Sequence, residues 1–166
     1  MDGFYDLYGI LTESTSDRMP SLVDLQGTAL SDSVNWEAVL VNRAADANLL
    51  KLENMALEMA VKSRSDPLVS VNRNLVRRLA LLVANYMGGP VTNPYNMLRA
   101  WQSLSQSLKA TLGSMVLPLG SLTIGLARHR ALLFKVLVLY LIHRRKHFGP
   151  GYLFIYTVLF TLLEIL

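Results

Sequence analysis

The chain contains no cysteine among its 166 residues. That absence excludes a disulfide scaffold, a zinc ribbon and a thiol nucleophile. Acidic residues are scarce over most of the length: residues 67–166 hold eleven Lys and Arg with Glu164 as the single acid, a formal charge of +10. Residues 1–66 hold eleven acids against five bases, a charge of −6. So uneven a distribution is unusual for a soluble enzyme.

The motifs of several large enzyme classes are also missing. The chain has neither G-x-x-x-x-G-K-[ST] nor G-x-G-x-x-G, so we expect no nucleotide cofactor. It lacks H-R-D and D-F-G, which excludes a kinase catalytic domain, and it lacks the G-x-S-x-G of serine hydrolases. The first ten residues carry two acids and no basic region of a secretory signal, which predicts a cytoplasmic protein.

Apolar residues make up 52% of the chain and the mean hydropathy is +0.33, which excludes intrinsic disorder. Apolar spacing predicts helices near residues 46–62, 70–87, 94–112 and 124–147. It also predicts a strand or turn over 2–9, a strand near 36–41 and a loop over 17–26. The predicted helix caps are Asp46, Asn93, the Gly88-Gly89-Pro90 turn and Gly113.

The last thirty residues have a different composition. His143 and His147 are four residues apart, but only Arg144, Arg145 and Lys146 lie between them and no third ligand is near. We therefore predict no metal site, and instead a solvated basic segment able to contact an anionic surface. The stretch Tyr152–Leu166 is almost wholly apolar, yet its uncharged run is only 12 residues, short of the ~20 that a transmembrane helix needs. An apolar helical tail is expected there, with membrane association as the alternative.

Five sequence blocks occur in the order found in one known family. They are Asp2-Gly-Phe-Tyr-Asp-Leu-Tyr-Gly9, Met19-Pro-Ser-Leu-Val-Asp-Leu25, Glu37-Ala-Val-Leu-Val-Asn-Arg43, Tyr86-Met-Gly-Gly-Pro90 and the long block from Val116 to Leu137. Residues 1–137 thereby resemble the peptidase-like regulatory domain that precedes the kinase in plant Raf-like MAP kinase kinase kinases of the constitutive-triple-response and enhanced-disease-resistance group. Residues 120–137 are the most specific part of this resemblance.

The resemblance implies a fold like that of papain-like and transglutaminase-like hydrolases. Active relatives of that fold place a Gly-x-Cys turn at a helix N-terminus, where the helix dipole favours the thiolate. Ala127 stands at that position here, so the resemblance implies a degenerate nucleophile position and no enzyme activity. Arg128, His129 and Arg130 follow directly. We expect them to hold the start of the helix in place, with partner binding as the second interpretation.

The resemblance ends near Leu137. We expect residues 1–137 to form a partial regulatory domain, and residues 138–166 to be a divergent tail translated from beyond an exon boundary. The predicted fold class is α+β, the mainly helical portion of a papain-like domain lacking most of its sheet, with an apolar helical tail.

The resemblance further implies a catalytically inactive regulatory or interaction module of plant stress or hormone signalling. Its expected partner is a protein, such as a Raf-like kinase domain, and not a nucleic acid. The alternative is a small membrane-associated protein anchored by Tyr152–Leu166.

Overall fold

The computed structural model describes residues 3–8, 21–27, 37–63 and 70–145. In chain order the elements are β1 (Gly3–Tyr8), α1 (Leu22–Gly27), β2 (Glu37–Asn42), α2 (Ala47–Lys62), α3 (Ser70–Tyr86), α4 (Pro94–Leu112), β3 (Val116–Pro118), a 3₁₀ turn (Leu119–Ser121) and α5 (Ala127–Arg145). The predicted tail segment 152–166 and the residues Lys146 and His147 lie outside the described residues.

The four long helices agree with the predicted ones to within three residues wherever the ends are described. At the N-terminus of α4, Asn93 Oδ1 accepts hydrogen bonds from Tyr95 N at 2.9 Å and Asn96 N at 3.4 Å. At its C-terminus Gly113 takes the left-handed conformation with φ of +61°, which ends the helix without a Cβ clash. Both predicted caps are therefore confirmed. The last helix begins at Ala127, three residues later than predicted.

Helix α1 lies where a loop was predicted. Its N-terminus is a reciprocal cap: Asp24 N donates to Ser21 Oγ at 3.2 Å, while Ser21 N donates to Asp24 Oδ2 at 2.9 Å. This pairing occupies two amides that a short helix leaves open. Leu25 is buried by the resulting turn, whereas Val23 stays 76% exposed.

One compact unit comprises residues 1–50 and 91–126 and contains a three-stranded sheet in the order β1-β2-β3. Strands β1 and β2 are antiparallel, whereas β2 and β3 are parallel, with Ala38 opposite Val116. Ala38, Val116 and Leu25 form a buried cluster, against which Leu22 and Leu40 pack. Strand β3 was not predicted from the sequence.

The second compact unit comprises residues 51–90 and 127–166. Within it α3 packs against α5. Each helix contributes buried leucines at helical spacing, Leu75, Leu79 and Leu82 on α3 and Leu133, Leu137 and Leu141 on α5. Helix α5 is continuous through residues 137 and 138, and Val138 is 3% exposed.

The fold is thus α+β, mostly helical with a small sheet, in agreement with the predicted class. Within the described residues no helix has both the length and the apolar character to cross a membrane. The division into residues 1–137 and 138–166 stays a prediction.

Candidate functional site

The first turn of α5 carries the residues that the sequence singled out. Ala127 opens the helix and is exposed, while Arg128 and Arg130 are half-buried. His129 is completely buried, with 0% of its surface exposed. The methyl group of Ala127 has no ionisable proton and no lone pair, so the first residue of this helix offers no nucleophile.

Arg130 fixes the turn that ends α3. Its Nη1 donates to Gly89 O at 2.8 Å and its Nη2 donates to Met87 O at 2.6 Å. In the same turn Gly89 N donates to Ala84 O at 2.8 Å, and Gly88 and Gly89 have φ values of +90° and +79°. The planar guanidinium therefore satisfies two carbonyls at the end of α3 that the helix itself cannot pair. Arg130 is one of the three predicted interaction residues, and both of its hydrogen bonds go to backbone carbonyls of its own unit.

A carboxylate makes a comparable link in the other unit. Asp46 is 7% exposed; its Oδ1 accepts from Leu49 N at 3.0 Å and its Oδ2 accepts from Gly120 N at 2.7 Å. The first bond caps α2, as the sequence predicted, and the second connects residues 74 positions apart. A Cβ built on Gly120 would collide with the Asp46 carboxylate and approach Leu49 N to 2.5 Å, so this link requires glycine.

A second electrostatic feature of that unit is Lys109 on α4. Burial lowers the pKa of the Lys109 amine, and the nearby carboxylate of Glu37 acts in the opposite direction by favouring the charged form. Glu37, the first residue of β2, is 7% exposed. No sequence pattern indicates this pair, because the two residues are far apart along the chain.

The basic segment at the end of α5 is described only in part. His143 and Arg144 are exposed, and the Arg144 guanidinium lies 5.6 Å from the centre of the Tyr140 ring. The side chain of Arg145 and the whole of Lys146 lie outside the description. Among the described residues no group of three His, Cys, Asp or Glu side chains is placed to hold a metal ion. The anionic-surface contact of Arg144, Arg145 and Lys146 stays a prediction.

The sequence identifies the first turn of α5 as a candidate site but does not indicate the hydrogen bonds of Arg130. Adjacency associates Arg130 with Arg128 and His129, whereas its hydrogen-bond acceptors are Gly89 O and Met87 O, in and just before the turn that the sequence predicts as a helix stop. The sequence predicts Asp46 as a helix cap, but its spacing does not indicate the bond to Gly120. Both missed contacts join side chains to distant backbone atoms.

Comparison with known proteins places this arrangement in a family. The chain matches the family model described as EDR1/CTR1/ARMC3, peptidase-like, over residues 1–141. It is 71% identical over 138 residues to the probable serine/threonine-protein kinase SIS8 of Arabidopsis thaliana, covering 82% of this chain and 13% of that kinase. It is 32% identical over 145 residues to the serine/threonine-protein kinase CTR1 of Arabidopsis thaliana, covering 82% of this chain and 17% of that kinase.

The chain thus spans less than a fifth of the length of either kinase. No solved structure matches it. The resemblance read from the five sequence blocks is confirmed by the family match and by both relatives. The chain belongs to the EDR1/CTR1/ARMC3 peptidase-like family.

Proposed function

We propose that the chain is a catalytically inactive regulatory module of Raf-like kinase signalling, which acts by binding a protein. The observation that carries the proposal is the match to a peptidase-like family over residues 1–141 in a chain that has Ala127 at the start of α5. A peptidase fold without its nucleophile retains shape and surface but no covalent chemistry.

The inactivity follows from the chemistry of the position. In cysteine hydrolases a thiol at a helix N-terminus is held as thiolate by the helix dipole and attacks a carbonyl carbon. Ala127 can neither ionise nor form an acyl intermediate, and the chain contains no cysteine that could replace it. His129, two residues after Ala127, is buried and has no exposed surface through which to meet a substrate.

The regulatory role draws support from the relatives. The two relatives described above are a probable serine/threonine-protein kinase and a serine/threonine-protein kinase, and the matched region is a small part of each. This chain holds no kinase motif, so any influence on phosphoryl transfer has to come through contact with a kinase. We propose a Raf-like kinase domain as partner and the cytoplasm as location.

Binding to a kinase domain tests the regulatory part. The purified 166-residue chain is immobilised and offered the separate kinase domains of SIS8 and CTR1, and their phosphorylation of a generic protein substrate is measured with and without the chain. We expect saturable binding to at least one domain and a change in its rate. An unrelated kinase domain is the control. Binding to neither domain, or equal binding to all three, contradicts the proposal.

Hydrolysis assays test the inactivity separately. The wild-type chain is incubated with an activated aryl ester and with a mixed peptide library, and a preparation carrying Ala127→Gly is the matched control. We expect identical background rates, because neither chain has a nucleophile at the start of α5. Wild-type hydrolysis that exceeds the control, or that is removed by a serine or histidine reagent, contradicts the proposal.

A further inference from the structure

One face of α3 combines positive charge, amide groups and an exposed leucine. The face begins at Asn74 and includes the residues 3, 4, 7 and 11 positions after it, which this spacing places along one side of the helix. These residues are Arg77, Arg78, Leu81 and Asn85. All five are exposed, and Leu81 keeps 53% of its surface in solvent. We call this set the α3 basic face.

The charges of this face are not neutralised by its own helix. Helix α3 contains three arginines and no acidic residue. Within the described part of the chain neither Arg77 nor Arg78 has an ion pair with another side chain. The unit to which α3 belongs contains twelve Lys and Arg against four Asp and Glu, a formal charge of +8, whereas the other unit carries four against eight, a charge of −4.

We propose that the α3 basic face docks an acidic protein segment that carries carboxylates on both sides of one apolar side chain. The inference rests on the proposed function, that the chain acts by binding a protein, and names the surface and the chemistry of the partner. Arginine forks bind carboxylates through two parallel hydrogen bonds, and Leu81 between them supplies an apolar contact at the centre. The two asparagines at the ends of the face can donate to and accept from a partner backbone.

A membrane or a nucleic acid fits this face less well. Membrane-surface helices insert a broad apolar face, but the apolar face of α3, with Leu75, Leu79 and Leu82, is already buried in its own unit. Among the α3 residues whose side chains the structure describes, Leu81 is the one large apolar side chain that is exposed. The α3 basic face has no aromatic side chain on which bases would stack. A carboxylate-bearing protein segment requires neither feature.

The test uses a fluorescein-labelled 16-residue peptide built from glutamate with one leucine per helical turn, and the full chain. Fluorescence anisotropy gives the dissociation constant at low and moderate salt, and the same peptide with glutamine for glutamate is the probe control. We expect binding of the glutamate peptide to weaken several-fold with added salt, since exposed charges are screened. The glutamine peptide should not bind measurably.

Matched variants locate the site. Arg77→Ala with Arg78→Ala should weaken the peptide at least about tenfold, because two charge-assisted contacts are lost. Lys51→Ala with Lys62→Ala removes the same charge from exposed positions of α2 in the same unit and should change binding less than about twofold. Leu81→Ala should weaken binding, whereas Val61→Ala, a comparably exposed apolar residue on α2, should not.

Other outcomes overturn either this inference or the proposed kinase partner. It is refuted if the lysine pair and the arginine pair weaken the peptide equally, since binding then follows net charge alone. It is also refuted if phosphatidylserine vesicles bind in an Arg77- and Arg78-dependent manner while the peptide does not. Loss of peptide binding with intact kinase binding removes only this inference. Peptide binding at the α3 basic face without binding to any kinase domain removes only the proposed kinase partner.

Discussion

Replacement of Asp46 by alanine tests a buried polar link in the sheet-containing unit. The carboxylate accepts from Leu49 N at 3.0 Å and from Gly120 N at 2.7 Å while only 7% exposed. Leu49 and Gly120 are themselves buried, so neither amide would gain full access to water after the substitution. Each orphaned amide costs about 1–3 kcal/mol, so for the two amides we expect the free energy of unfolding to fall by about 2–6 kcal/mol.

The matched control is Asn93→Ala at the start of α4. Asn93 also accepts from two backbone amides, at 2.9 Å and 3.4 Å, but it is exposed and water can replace it. A cap of this kind contributes about 1 kcal/mol. Asp46→Ser, which retains a cap for Leu49 N but is too short to reach Gly120 N, should fall between the two. This second variant keeps the test measurable if Asp46→Ala fails to fold.

The assay is urea unfolding followed by far-ultraviolet circular dichroism. A double-mutant cycle with Gly120→Ala adds a test of contact, because the added methyl group collides with the Asp46 carboxylate and with Leu49 N. With Asp46 already truncated, part of that collision is gone, so Gly120→Ala should be less destabilising than in the wild type. Equal losses for Asp46→Ala and Asn93→Ala, together with an additive cycle, would refute the reasoning.

Three further results are expected. Arg130→Lys should lower the free energy of unfolding by about 1–2 kcal/mol in urea titration, because an ammonium group cannot reproduce the two-pronged bond; a loss equal to that of Arg128→Lys would contradict this. Burial lowers the pKa of Lys109 below its ordinary value near 10.5, so the folded chain releases this proton at a lower pH than the unfolded chain does. The free energy of unfolding of the wild type should therefore rise relative to that of Lys109→Gln as the pH approaches 10.5. A difference between the two chains that does not vary with pH would contradict the assignment. Ending the chain after Leu137 should lower the melting temperature more than ending it after Arg145, because Val138 and its neighbours on α5 are buried. Equal melting temperatures would show that these residues contribute no stability.

The helices were the predictable part of the fold. Leucine spacing on α3, the Asn93-Pro94 start of α4 and the glycine stops fix local structure, and local signals are readable from neighbouring residues. Strand β3 was not predicted because it is three residues long and because its partner, β2, precedes it in the chain by three helices. Helix α1 was not predicted because it is only six residues long and the composition around its serine–aspartate cap is typical of a loop.

For the candidate site, the sequence predicts where along the chain it lies but not which atoms its side chains contact. Family blocks led to Ala127 at a helix start, and the structure places it as the first residue of α5. The partners of Arg130 and Asp46 are backbone atoms 41–43 and 74 residues away, whose proximity is set by the packing of whole helices and turns. Sequence spacing carries no record of such distances. The burial of Val138 likewise depends on tertiary packing. The change in composition after Leu137 predicts a boundary there and does not predict this burial.

The parallel pairing of β2 with β3 has a consequence for synthesis on the ribosome. Roughly 70 residues separate the end of β2 at Asn42 from the start of β3 at Val116. At about 5–20 residues per second, the ribosome needs several seconds to reach β3 after β2 has emerged. During that interval the inner edge of β2, with apolar residues at most positions, is open to other chains. Cotranslational chaperone contact is therefore expected to concentrate on nascent chains that end between these two strands.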